Sequence, residues 1–170
     1  MGPRVPFTDS NNLPPQVIAG RPFTVDGDSR MAKSIPCDVQ DTFYAQSWKE
    51  NLDLTISDNI TDNQRIGEHW LQHAEAEHAS IASFARHTLQ LMSIGAPSVL
   101  LAASQQASLD EIKHAKICYG IASAFLNTDF FPGALKVTDS INQLNIKDII
   151  QSLVQEGCIE EIVGILYLVS

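Results

Sequence analysis

The sequence predicts an all-α protein: three long helices, the first two an antiparallel hairpin, preceded by an irregular N-terminal arm. Three observations predict it. Apolar residues recur at steps of three and four over two stretches of about thirty residues, the helical period. Only Gly95 to Pro97 separates those stretches, too short for anything but a hairpin turn. Six of the eight prolines (Pro3, Pro6, Pro14, Pro15, Pro22 and Pro36) fall within residues 1–60, where no helical period is sustained.

The arm, residues 1–60, is expected to pack along the bundle, with Phe43 and Trp48 as its anchors. Within it, Phe23-Thr24-Val25-Asp26-Gly27-Asp28 has the composition of a short strand and turn. The helical domain spans 61–170. Its first helix starts near Thr61 or Asp62, either of which can cap it, and runs to about Ser93. The stripe is Ile66, Trp70, His73, Glu77, Ile81, Phe84, Thr88 and Leu91. The second helix starts around Pro97, a favoured first helical residue, and ends near Leu126 before Asn127 and Asp129. Its stripe is Leu100, Ser104, Ala107, Glu111, His114, Cys118, Ile121 and Phe125. A looser segment follows to about Leu144, containing Pro132 and Gly133. The third helix begins near Asn145, with Ile149, Leu153, Glu156, Glu160, Val163 and Tyr167 on its stripe.

Composition narrows the function. The chain of 170 residues is long enough for one domain with a core. Hydrophobic residues make up 44% and charged residues 18%, the balance of a soluble globule. A net charge of −9 and a pI of about 4.8 argue against nucleic acid, which selects a basic face. No apolar run reaches membrane-spanning length. The N-terminus has no apolar core of a secretory signal, and Cys37, Cys118 and Cys158 form no CxxC pair. The expected location is the cytoplasm.

The chemistry is carried by acids on apolar stripes. A buried charge costs several kcal/mol or more unless it is paired or binds a metal. Glu111-Ile112-Lys113-His114 places a carboxylate and an imidazole three residues apart on one helix face, where both can grip one ion. Glu77 lies midway along the other helix of the hairpin, so antiparallel packing brings Glu77 and Glu111 to one level. Glu156 and Glu160 bring acids from the third helix. Carboxylates with one imidazole suit iron or manganese. A single Glu-x-x-His arises often by chance; acids on the stripes of three helices weigh more. Glu75 lies off the stripe and, with Glu77 and His78, could equally form a polar face. His69, His78 and His87 read as surface groups. His73, one turn before Glu77, reads either as a partner orienting a ligand or as a packed histidine. Cys118 reads as core.

At these residues the chain resembles the ferritin-like superfamily, and within it bacterial ferritin-like domain proteins of unassigned role. The resemblance rests on Glu77-His78-Ala79-Ser80-Ile81-Ala82-Ser83-Phe84-Ala85-Arg86, on Leu109-Asp110-Glu111-Ile112-Lys113-His114-Ala115, and on Gln155-Glu156-Gly157-Cys158-Ile159-Glu160-Glu161. Gly20-Arg21-Pro22-Phe23-Thr24-Val25-Asp26-Gly27 is similar to the lead-in of that group. The resemblance implies a carboxylate-bridged di-iron centre, with manganese as the alternative metal. In it Glu77 is the first-helix ligand, Glu111 the bridging acid with its His114, and Glu156 the third-helix ligand. Helical geometry favours Glu160 as the second acid of that helix, and the family spacing points as well to Glu161. The superfamily pattern includes a fourth helix with another Glu-x-x-His, and the sequence ends at Ser170 without one. The expectation is therefore an incomplete, C-terminally truncated ferritin-like bundle completed by a second copy or another helical partner. Three functions follow as expectations: an oxidoreductase activating dioxygen, an iron-binding ferroxidase, or a non-catalytic bundle acting through helix association.

Overall fold

The computed structural model describes residues 23–38, 40–54, 56, 60–140 and 146–155. The order of elements is β1 (Thr24–Val25), β2 (Asp28–Ser29), β3 (Ser34–Pro36), α1 (Thr42–Ser47), α2 (Ile60–Ser93), α3 (Ser98–Leu126), β4 (Phe130–Pro132) and α4 (Ile146–Val154). The protein is predominantly helical, and two long helices, α2 and α3, form its frame. They have 34 and 29 residues, so each is roughly 45–50 Å long.

The turn between them is dictated locally. Gly95 has φ of +67°, the left-handed conformation that a side chain resists. Its N–H donates to the Met92 carbonyl at 3.1 Å, and the Ala96 N–H donates to the Leu91 carbonyl at 3.0 Å. This pair of bonds closes the C-terminus of α2 in a Schellman arrangement. Pro97, extended at ψ of 145°, then caps α3 from outside rather than serving as its first helical residue. At the other end α2 begins at Ile60, so Thr61 and Asp62 lie inside its first turn and do not cap it. The helices run antiparallel: Gly67 meets Leu126, Glu77 meets His114 and Thr88 meets Ser104.

The described part of the arm forms regular structure. Asp26 and Gly27, both at positive φ, make the two-residue turn of the β1–β2 hairpin. Phe23 and Val25 bury themselves against Ala79 of α2. Arg86 covers the Phe23 ring, its guanidinium carbon 5.0 Å from the ring centre, and donates to the Thr24 carbonyl. Strand β3 pairs antiparallel with β4, with Ile35 opposite Phe131. Strand β1 and its turn match the short strand and turn expected at Phe23–Asp28, whereas the β3–β4 pair was not anticipated. Strands of two or three residues carry no readable period, and proline closes both β3 and β4.

Two further expectations change. Helix α1 forms within the arm, and Phe43 on it is 78% exposed, so it anchors nothing. Trp48 does anchor: it packs edge-on against His78 and Tyr119. The chain then crosses α3 where Gly120 leaves room, since a side chain there would collide with the Glu50 carbonyl. The Glu50 N–H donates to the Lys116 carbonyl at 3.1 Å. Helix α3 thus has two buried sides, one facing α2 and one facing the arm. Of the third helix, α4 is described over nine residues, with Ile149 buried and contacts to α2. Glu156, Glu160, Glu161, Val163 and Tyr167 lie outside the described residues. Among the described residues no helix is long and apolar enough to cross a membrane.

Candidate metal centre

Buried small side chains flank Glu77 and Glu111 along α2 and α3. Ala74, Ala76, Ala79, Ser80 and Ser83 on α2 are buried, as are Ala115 and Ala122 on α3. Such residues fill little space, so polar groups among them face one another rather than being screened by larger neighbours. Toward the turn this produces a buried hydroxyl pair, Thr88 Oγ1 and Ser104 Oγ at 2.9 Å. Midway along the helices it produces an acid–imidazole cluster.

Glu77, Glu111 and His114 each offer one ligand atom, and these atoms lie within 4.8 Å of one another. His114 Nδ1 is 3.5 Å from Glu111 Oε2 and 3.8 Å from Glu77 Oε2. Both distances are long for hydrogen bonds. They match the span of two donors sharing one ion, which stand about 3–4 Å apart when each lies about 2.1 Å from it. The side chains of Glu77 and Glu111 are 15% and 11% exposed, whereas that of His114 is 54% exposed. The cluster is therefore closed on its carboxylate side and open on its imidazole side.

Glu111 Oε2 is buried and has no hydrogen-bond partner among the described residues. A buried carboxylate oxygen normally holds one or more donors. Here the carboxylate is presented to Glu77, another acid, and to an imidazole that is charged only when protonated. A divalent cation would satisfy that oxygen and balance the acids, so the donor set fits a metal. Cys118, one turn beyond His114, reports the local field: burial first, then the charges of Glu77 and Glu111, pushes its thiol up to about 12. It is a neutral packing group at ordinary pH, as its place on the stripe implied.

Comparison of the chain with protein-family models, curated proteins and solved structures gave no match. The function must be argued from the site itself.

Two residues differ from their sequence reading, and His73 takes the packed one of its two alternatives. Glu75 is 6% exposed, not part of a polar face. It accepts from the Ser34 N–H at 2.8 Å and from Lys33 Nζ at 3.4 Å, so it ties the arm to α2. No periodicity could reveal this, because the donors come from a segment about forty residues earlier. His78, expected at the surface, is half-buried under Trp48, and burial lowers its pKa. His73 is buried, and its Nε2 lies 3.1 Å from Nε2 of His69. Burial, then the neighbouring His69, lowers its pKa.

Proposed function

We propose that the protein is a metal-dependent helical protein in which Glu77, Glu111 and His114 hold iron, as part of a ferritin-like di-iron oxidoreductase centre. The observation that carries this is the buried, hydrogen-bond-free Oε2 of Glu111, facing a second acid from across the hairpin and an imidazole one turn along its own helix. In this reading Glu77 and Glu111 would bring the negative charge that holds the ion. Glu156 and Glu160, which lie outside the described residues, would be ligands of a second ion. Oxygen donors with one imidazole suit Fe(II) and Mn(II) over softer ions. Bound iron would supply the electrons and Lewis acidity for reducing dioxygen. The chain's own part is to fix the two helices, to keep water from the carboxylate side, and to admit small molecules past the exposed His114.

The test is anaerobic titration with Fe(II), with Co(II) as a spectroscopic substitute, on wild type, Glu111→Gln and His114→Ala. Saturable binding that each variant weakens at least tenfold is expected. Equal binding by all three would overturn the assignment. Dioxygen uptake with Fe(II) alone, without an organic reductant or substrate, would favour a ferroxidase over an oxygenase.

A specific observation favours a second reading. Leu89, Met92, Val99 and Leu100 are all between 46% and 69% exposed around the hairpin turn. That apolar cluster suits association with a second copy or another helix. Sedimentation of wild type and Leu100→Glu separates the two readings: a dimer lost in the variant, with metal binding intact, assigns the end of the hairpin to assembly alone.

A further inference from the structure

His69 and His73 lie on α2 one helical turn apart, and their Nε2 atoms are 3.1 Å apart. Imidazole nitrogens bind late divalent metal ions at about 2.0–2.1 Å. Two such bonds reaching donors 3.1 Å apart enclose about 98°, between the square-planar and tetrahedral angles. The spacing of the bite is already formed. His73 is fixed by burial, with the Trp70 ring centre 5.7 Å from its own. His69 is exposed and borders an open groove of about 440 Å³ lined by Arg65, Ile66, Glu68 and Gln72. That groove leaves room for water or an anion in the remaining coordination positions.

We propose that His69 and His73 form a second metal site, a two-imidazole clamp for a late divalent ion such as Ni(II), Cu(II) or Zn(II). It is independent of the carboxylate centre and differs from it in chemistry. Paired imidazoles select ions late in the first transition row, whereas the carboxylate cluster selects earlier, harder ones. In the metal-free protein one ring donates its Nε2 proton to the other across the 3.1 Å contact. On binding, both Nε2 lone pairs point at the ion, and the shared proton moves to Nδ1 of its own ring. Two neutral rings therefore release no net proton. His69 and His73 lie eight and four residues before Glu77, about 12 and 6 Å along the helix axis. An ion held there would sit beside the carboxylate centre without sharing its ligands.

Trp70 is a built-in reporter, its ring centre 6.4 Å from that of His69 and 5.7 Å from that of His73. The chain has two tryptophans, so Trp48→Phe leaves Trp70 as the only one. In that background, Ni(II) should quench the fluorescence saturably, and excess Zn(II), which does not quench, should restore it. His69→Ala changes an exposed side chain and should weaken the Ni(II) effect at least tenfold. The double variant Glu111→Gln, His114→Ala should leave it unchanged. Quenching with the same midpoint in His69→Ala, or no saturable quenching at all, would overturn the proposal. Loss of the effect in the double variant would also overturn it, by assigning the signal to the carboxylate centre. That centre is judged separately, from Fe(II) and Co(II) binding.

Discussion

Glu75 and Glu111 are almost equally buried, at 6% and 8% exposure, yet they stand in opposite electrostatic situations. Glu75 faces the arm, which delivers the Ser34 N–H and the Lys33 ammonium to its carboxylate. Glu111 faces the opposite helix, which delivers another acid, and its Oε2 has no hydrogen-bond donor among the described residues. Burial alone therefore does not mark a functional acid. A satisfied buried carboxylate holds the fold together, whereas an unsatisfied one is a cost that an ion can relieve.

The largest expected effect tests the arm side of this contrast. Tyr119 is fully buried beneath Trp48, with its hydroxyl 3.3 Å from Ser34 Oγ. Tyr119→Ala should cost about 3–5 kcal/mol in urea denaturation. A loss below about 1 kcal/mol would mean that the arm is not docked on α3 as described. Next, Glu75→Ala removes the acceptor of a backbone N–H and should cost about 1–3 kcal/mol while leaving metal binding intact. If Fe(II) binding fell as well, the separation of the two acids would fail.

Alkaline pH probes the same side more gently. Burial pushes both the Cys118 thiol and the Tyr119 hydroxyl up to about 12. Above the unfolded values of about 9 and 10, the unfolded chain loses these protons while the folded protein keeps them. Stability is thus fully present below pH 9 and falls from there toward about pH 12. Each group contributes up to about 1.4 kcal/mol per pH unit within its window. Denaturation of Cys118→Ala and Tyr119→Phe between pH 8 and 11 should show a shallower decline than wild type; parallel curves would exclude both groups as its source.

Glu111→Gln should act with the opposite sign to Glu75→Ala. Without metal it removes one of two facing acids, so stability should stay level or rise by about 1 kcal/mol. Thermal melts with and without Fe(II) would read both outcomes, since the wild type alone should gain stability from the ion. A variant as destabilised as Glu75→Ala would erase the contrast. The smallest effect is expected of Lys33→Ala. The Lys33 side chain is 87% exposed, so its ion pair with Glu75 is screened, and its loss should cost less than about 1 kcal/mol.

The hairpin and its cluster were legible in the sequence because both depend on local rules. Helical period and the Gly95–Pro97 break set two helices and their direction, and direction plus midpoint position brings Glu77 level with Glu111. The Glu111–His114 spacing then follows from helix geometry alone. Glu75 and His78 were misread because their surroundings come from distant segments. A side chain off the α2–α3 stripe counts as exposed until something covers it, and only the path of the arm decides what is covered. Strands β3 and β4 are too short to announce themselves, and they form because the two segments meet over α3.

What the sequence by itself determined is the periodic frame: two long helices, their turn, and the acids carried on their facing stripes. These are properties of residues three or four apart on one helix. Tertiary structure alone decided which buried acid is satisfied, which histidines are covered, and which side of α3 the arm covers. Hydrogen-bond partners and burial depend on groups brought together across dozens of residues. No pattern within a single helix encodes the Ser34 N–H that satisfies Glu75, or its absence at Glu111.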